Sequence, residues 1–153
     1  MTFDDAATQL LSDPDNSFGT SATEAEIGSA ARSLRVPISG GYQRFLQRFG
    51  WGGVPGYDLW GIGHGVPKRF DLVALTKSER MEMCPQLPEY LLPIMNDGGG
   101  NLVCLDTAAS PDEPPVVMWY HDDLNGSDQV PEPVAANFVS WLERMLQERA
   151  SMR

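Results

Sequence analysis

Apolar residues recur at helical spacing twice in the N-terminal third of the chain. Tyr42, Phe45, Leu46 and Phe49 fall at i, i+3, i+4 and i+7, which predicts a helix over 39–49 with Gly50 as its stop. Upstream, Ile27, Ala30, Ala31 and Leu34 form a stripe that predicts a helix over 23–34. Ser21 and Thr23 each precede a glutamate by three positions, the spacing of a capping box. Glu24 and Glu26 near its start and Arg32 and Arg35 near its end suit the helix dipole. A shorter helix over 4–11, with Phe3, Ala7 and Leu10 on one side, is closed by Asp13-Pro14-Asp15-Asn16.

The period then changes. After Trp51-Gly52-Gly53, residues 57–62 read as a strand or hairpin interrupted by glycines, and 72–83 as a helix closing at Cys84-Pro85. Three short apolar runs, 91–95, 102–105 and 116–120, predict antiparallel strands separated by Asp97-Gly98-Gly99-Gly100 and by the Pro-rich stretch 110–115. Phe138, Trp141, Leu142 and Met145 mark an amphipathic C-terminal helix. The fold class is α+β: a single domain whose antiparallel sheet is flanked by N-terminal helices and that C-terminal helix. Residues 1–22 read as an N-terminal extension and 23–150 as the domain.

A simple meander would bring the Asp97 turn and His121-Asp122-Asp123 to one end of the sheet, with Asp106, Asp112 and Glu113 at the other. Alternation along the third strand sends Val116, Met118 and Tyr120 one way and Val117, Trp119 and His121 the other. With helices on one face only, the second face would be an exposed apolar patch rimmed by acids, a surface suited to a protein partner or to a homodimer.

Charge strengthens that expectation. Met81 to Glu143 contains eleven acids and no lysine or arginine, while the remaining segments hold all eleven bases and ten acids, so the net charge of −10 is local to that block. A field of this sign attracts a basic protein and repels nucleic acid and anionic lipid. The composition, 153 residues and 42% hydrophobic with four Trp, fits one packed domain that buries roughly 70% of its unfolded surface. No apolar run approaches the roughly 18 residues of a membrane span, so a soluble, cytoplasmic protein is expected. Cys84 and Cys104 match neither a zinc motif nor a disulfide framework and read as free, partly buried thiols.

Several residues invite chemistry. His121-Asp122-Asp123 with Asp97 and Asp106 has the residue types of a divalent-metal hydrolase, but aspartates at turns follow from local bonding to the backbone, so no metal ligand is assigned. His64 stands in a Gly-rich loop without a sequence-local partner and reads as surface. Gly98-Gly99-Gly100 is followed by a strand rather than a helix, which argues for a hairpin and against a phosphate cradle. Cys104 has no nearby base to lower its pKa. Trp51 and Trp60 flank glycine-rich backbone and either anchor a partner or close the core beneath the loop. The expected partner-binding set is Trp51, Trp60, Asp97, Trp119, His121, Asp122, Asp123 and Asp128, with no catalytic residue and no cofactor.

The ordered motifs resemble the SUKH superfamily, which includes a fungal cell-wall regulator and many bacterial immunity proteins of polymorphic toxin systems. The matching residues are Leu34-Arg35-Val36-Pro37, then Tyr42 with Phe45 and Leu46, then Gly50-Trp51-Gly52-Gly53. Leu92-Pro93-Ile94, Asp97-Gly98-Gly99-Gly100-Asn101, Cys104-Leu105-Asp106, Pro115-Val116-Val117 with Trp119 and His121-Asp122, and Phe138 with Trp141-Leu142 continue the order. Gly40-Gly41, where the family more often has helix-favouring or acidic residues, and the Gly/Pro-rich stretch 54–67 depart from it. The resemblance implies an α+β domain that works by binding, without catalytic residues: an immunity protein neutralising a cognate toxin, with a regulatory scaffold for a host protein as the alternative.

Overall fold

The helices form for the reasons their sequences supply. In the computed structural model, which describes residues 1–152, α1 (Phe3–Ser12) and α2 (Glu24–Leu34) both open on capping boxes. Thr2 pairs with Asp5 in the first, and Thr23 with Glu26 in the second, at 3.0 and 3.1 Å. Each box satisfies two N–H groups that a helix start leaves without partners. Next comes α3 (Gly40–Phe49), which buries Tyr42, Phe45, Leu46 and Phe49 and ends on Gly50 at φ +75°. Its unusual Gly40-Gly41 start makes room for the loop around residue 112: a Cβ on Gly40 would lie 2.6 Å from Glu113 Oε2, and Gly41 N–H donates to Glu113 Oε1 at 3.3 Å. Ser39 Oγ donates to the Pro111 carbonyl beside it.

Two antiparallel sheets follow. The small one orders β1 (Ser17–Phe18), β2 (Gly52–Val54) and β3 (Tyr57–Leu59); after it, α4 (Leu72–Glu82) is capped by Asp71. The larger sheet is a meander of β4 (Leu91–Asn96), β5 (Leu102–Asp106), β6 (Val116–Trp119) and β7 (Glu132–Ala135), closed by α5 (Phe138–Ser151) with Asn137 as its cap. Trp60 N–H donates to the Ile94 carbonyl at 2.8 Å and so ties the two sheets together.

Phe45 sits at the centre of an aromatic core. Its ring lies 5.5 Å from Phe49 and 5.7 Å from Phe138, which in turn touches Tyr42 and Trp141. Burying each such ring contributes roughly 1.5–3 kcal/mol before conformational entropy is subtracted. The Tyr42 hydroxyl, wholly buried, donates to the Trp60 carbonyl at 2.6 Å, and burial pushes its pKa far above the ordinary value. From the N-terminal side, α1 packs Phe3, Ala6, Ala7 and Leu10 inward and contacts α5, where Arg149 meets Asp13 at 3.4 Å.

Backbone crosses backbone beneath the glycine-rich segment. Ile62 N–H donates to the Gly50 carbonyl at 2.9 Å, and a Cβ on Gly61 would lie 1.7 Å from that same oxygen. Gly61 is also gripped from the other side: its N–H donates to Phe70 O at 2.7 Å, and its carbonyl accepts from Leu72 N–H at 2.8 Å.

Two expectations are corrected. The meander has four strands, not three. More consequentially, the larger sheet has no open apolar face, since Leu91–Met95, Leu102–Leu105, Val116, Val117 and Trp119 are all buried. The segment after α4 covers the face that alternation left open. Pro85 accepts a hydrogen bond from Trp119 Nε1 at 3.2 Å, Cys84 O accepts from Asp122 N–H at 3.0 Å, and Leu87 is 2% exposed.

Candidate functional site

The meander brings two acidic loops to one end of the larger sheet. In the first, between β4 and β5, Asp97 folds the glycine turn onto itself: Oδ1 accepts from Gly99 N–H at 2.7 Å and Asn101 N–H at 3.1 Å, and Oδ2 accepts from Asn101 Nδ2 at 3.1 Å. Asn101 Oδ1 in turn accepts from His121 N–H at 3.1 Å, which joins this hairpin to the loop after β6. Partial desolvation acts to raise the Asp97 pKa, but the hydrogen bonds from Gly99 and Asn101 and the nearby His121 outweigh it and hold the carboxyl below its usual value.

A depressed carboxyl stabilises the fold fully above its unfolded pKa, and that contribution is lost as pH falls through the folded value. Asp97→Ala is expected to cost about 1 kcal/mol at neutral pH, because a turn loses its acceptors. Urea denaturation should show the gap from the wild type closing as pH is lowered below about 4. A gap that stays constant down to pH of about 2 would contradict the role of the ionised group.

The second loop, between β6 and β7, carries His121, Asp122, Asp123 and Asp128. His121 Nδ1 lies 2.9 Å from Asp122 Oδ2. Asp122 adopts the left-handed region at φ 53°, Asp123 Oδ1 accepts from Asn125 N–H at 2.8 Å, and Asp128 closes a short 3-10 turn over Gly126–Asp128. Asp97, His121, Asp122 and Asp128 are exposed and Asp123 is half-buried, so the two loops present their charge outward. The expected gathering of Asp97 with His121-Asp122-Asp123 is therefore found.

The tryptophans behave differently. Trp119 and Trp60 are 1% and 4% exposed and packed into the core, which corrects the expectation that they are exposed anchors for a partner. Trp51 is partly buried, stacked 4.3 Å from Phe70 and fitted against Gly19, where a Cβ would lie 2.3 Å from Trp51 Nε1. Nothing brings it to the acidic loops.

Two carboxylates that sequence reasoning passed over do approach them. A cleft of about 460 Å³ runs from Asn96 and Gly98 of the first hairpin to Asp58, Arg69 and Glu79, with Trp60 also lining it. Burial raises the Glu79 pKa, and the neighbouring Glu82 adds to the effect. Asp58 and Glu79 lie outside the base-free block, and no local spacing in the sequence marks them; only the docking of β3 and α4 beside β4 brings them near.

Other candidate chemistry is accounted for locally. The Cys104 thiol is buried, and desolvation, reinforced by Glu79 and Asp106, pushes its pKa well up, the opposite of a nucleophile. Cys84 is exposed, contrary to the expectation of partial burial. Among the described residues, no three His, Cys, Asp or Glu side chains form a group that could hold a metal ion, and no helix is long and apolar enough to cross a membrane.

Residues 5–147 match the family model described as SMI1-KNR4 cell-wall, one of the SUKH models. No curated protein matches the chain.

Proposed function

The chain belongs to the SUKH superfamily, and from that premise we propose that it is an immunity protein: it binds and neutralises the cognate toxin of a bacterial polymorphic or contact-dependent toxin system in the cytoplasm of the producing cell. The observation that carries the reading is the junction of the two acidic loops through Asn101 and His121, which gathers Asp97, Asp122, Asp123 and Asp128 on one exposed end. Such a surface complements a basic protein, for instance a nuclease, whose own positive charge serves nucleic-acid binding. Action is by binding, without catalysis: acids steer the encounter, and contacts at the loops hold the complex.

Co-expression with the protein encoded by the adjacent gene tests the proposal. Growth arrest caused by that protein alone is expected to be relieved when this chain is present, and the two are expected to co-purify. Unrelieved arrest with no complex would sink the reading. The cell-wall description of the matching family favours a second reading, a non-enzymatic scaffold for a host protein. Under that reading the adjacent protein is harmless when expressed alone.

A further inference from the structure

The three most exposed large apolar side chains among the described residues are Leu124, Met81 and Val130, at 103%, 87% and 82%. Single exposed apolar residues are ordinary on protein surfaces. Met81 and Leu124, however, flank one junction, and Val130 follows the Gln129 that closes the same loop on Tyr120. Asp122 N–H donates to Cys84 O, three residues beyond Met81 and two before Leu124. Ser127 of the same loop shares a depression of about 480 Å³ with Arg80, Leu87 and Glu89 from the α4 side.

The loop that carries Leu124 and Val130 is built to hold its shape. Gln129, 7% exposed, clamps its base: Tyr120 N–H donates to Gln129 Oε1 at 2.8 Å, and Gln129 Nε2 donates to Tyr120 O at 2.9 Å. Between them, Gly126 N–H donates to Asp123 O, Asp128 N–H to Asn125 O and Gln129 N–H to Gly126 O. Leucine and valine are thus held in water on a frame already ordered, which lowers the entropy lost on binding.

We propose that Leu124, Val130 and Met81 are the apolar anchors of a docking surface for a basic amphipathic segment of a partner protein. Charge selects the occupant. Glu82, Asp122, Asp123 and Asp128 each lie within two residues of an anchor along the chain; of the cations nearby, Arg80 donates to Glu89 O at 3.0 Å and Arg35 pairs with Glu89 at 3.9 Å, while exposed Lys77, one turn before Met81 on α4, opposes them. A second copy of this chain would set acid against acid, and anionic lipid or nucleic acid would meet the same repulsion. A segment with apolar residues on one face and lysines or arginines on the other satisfies both features. The inference rests on the reading of a basic protein partner and adds the residues that grip it, but its test needs no toxin.

The full chain, labelled with ¹⁵N, is titrated with a synthetic helical peptide patterned with leucine on one face and lysine on the other. A control peptide has the same charge with serine in place of leucine. Shifts are expected at residues 81–84 and 122–130 with the first peptide and to be much weaker with the second. Combining Leu124→Ser with Val130→Ser should weaken binding about tenfold or more, the equivalent of leaving one buried aliphatic side chain unburied. Leu11→Ser, which changes an exposed leucine on α1, should leave it unaltered. Absent shifts, shifts centred elsewhere, equal response to both peptides or an unweakened double variant would each overturn the proposal, as would a dimer in sedimentation that the double variant dissolves. Thermal melts of the variants establish that loss of binding is not loss of fold. Failure of rescue in co-expression with peptide binding intact would count against the toxin alone.

Discussion

Replacing Asp122, Asp123 and Asp128 together by asparagine is expected to slow association with the proposed basic partner about tenfold or more at low ionic strength, the lower part of the range that steering supplies. The rate of the wild type should fall steeply as salt is added, and the variant's should not, so the two curves converge at high salt. Asparagine is the informative replacement because it removes charge while keeping an oxygen acceptor. Asp122 sits at φ 53°, a conformation asparagine adopts readily, and Asp123 accepts its bond from Asn125 through one oxygen that asparagine retains. Melting temperature should therefore change little. Stopped-flow association across a salt series reads the effect directly. Equal on-rates for wild type and variant at low salt would remove the acids from any steering role.

Gly61→Ala is expected to destabilise the fold by about 3 kcal/mol or more, at or beyond the upper end of usual overpacking. The added methyl would stand 1.7 Å from Gly50 O, 2.7 Å from Gly50 C and 2.9 Å from Trp51 Cα, all backbone atoms. Neither side can give way cheaply. The Gly50 carbonyl holds Ile62 N–H, and Gly61 is bonded to Phe70 and Leu72, so separating the chains loosens the joint between α3, the small sheet and α4. For a chain of this length the loss corresponds to roughly 6–12 °C in melting temperature. Gly28→Ala serves as the contrast: it lies within α2, its added methyl meets only the flexible end of Arg32 at 3.3 Å, and helix propensity favours alanine by up to about 1 kcal/mol. A Gly61→Ala protein that melts with the wild type would show that the crossing is looser than described.

What the sequence made legible, and what it hid, follows from where the deciding interactions lie. Thr23 with Glu26, and Tyr42 with Phe45, Leu46 and Phe49, announce their helices because caps and side-chain rows are settled within a few residues. The joining of the Asp97 turn to His121 was also legible, since a meander fixes which loops share an end. β7 was not: Glu132-Pro133-Val134-Ala135 carries a proline and no alternation, which an edge strand tolerates and a pattern search passes over. The burial of Trp119 was hidden for a related reason. Leu91–Met95 is a nearly unbroken apolar run, the mark of a strand covered on both faces, but the cover comes from the irregular segment around Pro85 and Leu87, which has no period to read. Asp58 and Glu79 reach the cleft only through tertiary docking, and Leu124 looks in sequence like any leucine until the Gln129 clamp turns its loop outward.

At the start of α3 the Glu113 carboxylate meets the positive end of a helix, and Asp106, at the same end of the larger sheet, accepts from Ala108 and Ala109 N–H at 3.2 Å. Asp97 and Asp123, at the opposite end, are held in the same way by Gly99 and Asn125 N–H. The main chain thus fixes the direction of these four carboxylates before any cation approaches, so little side-chain freedom remains to be lost on contact.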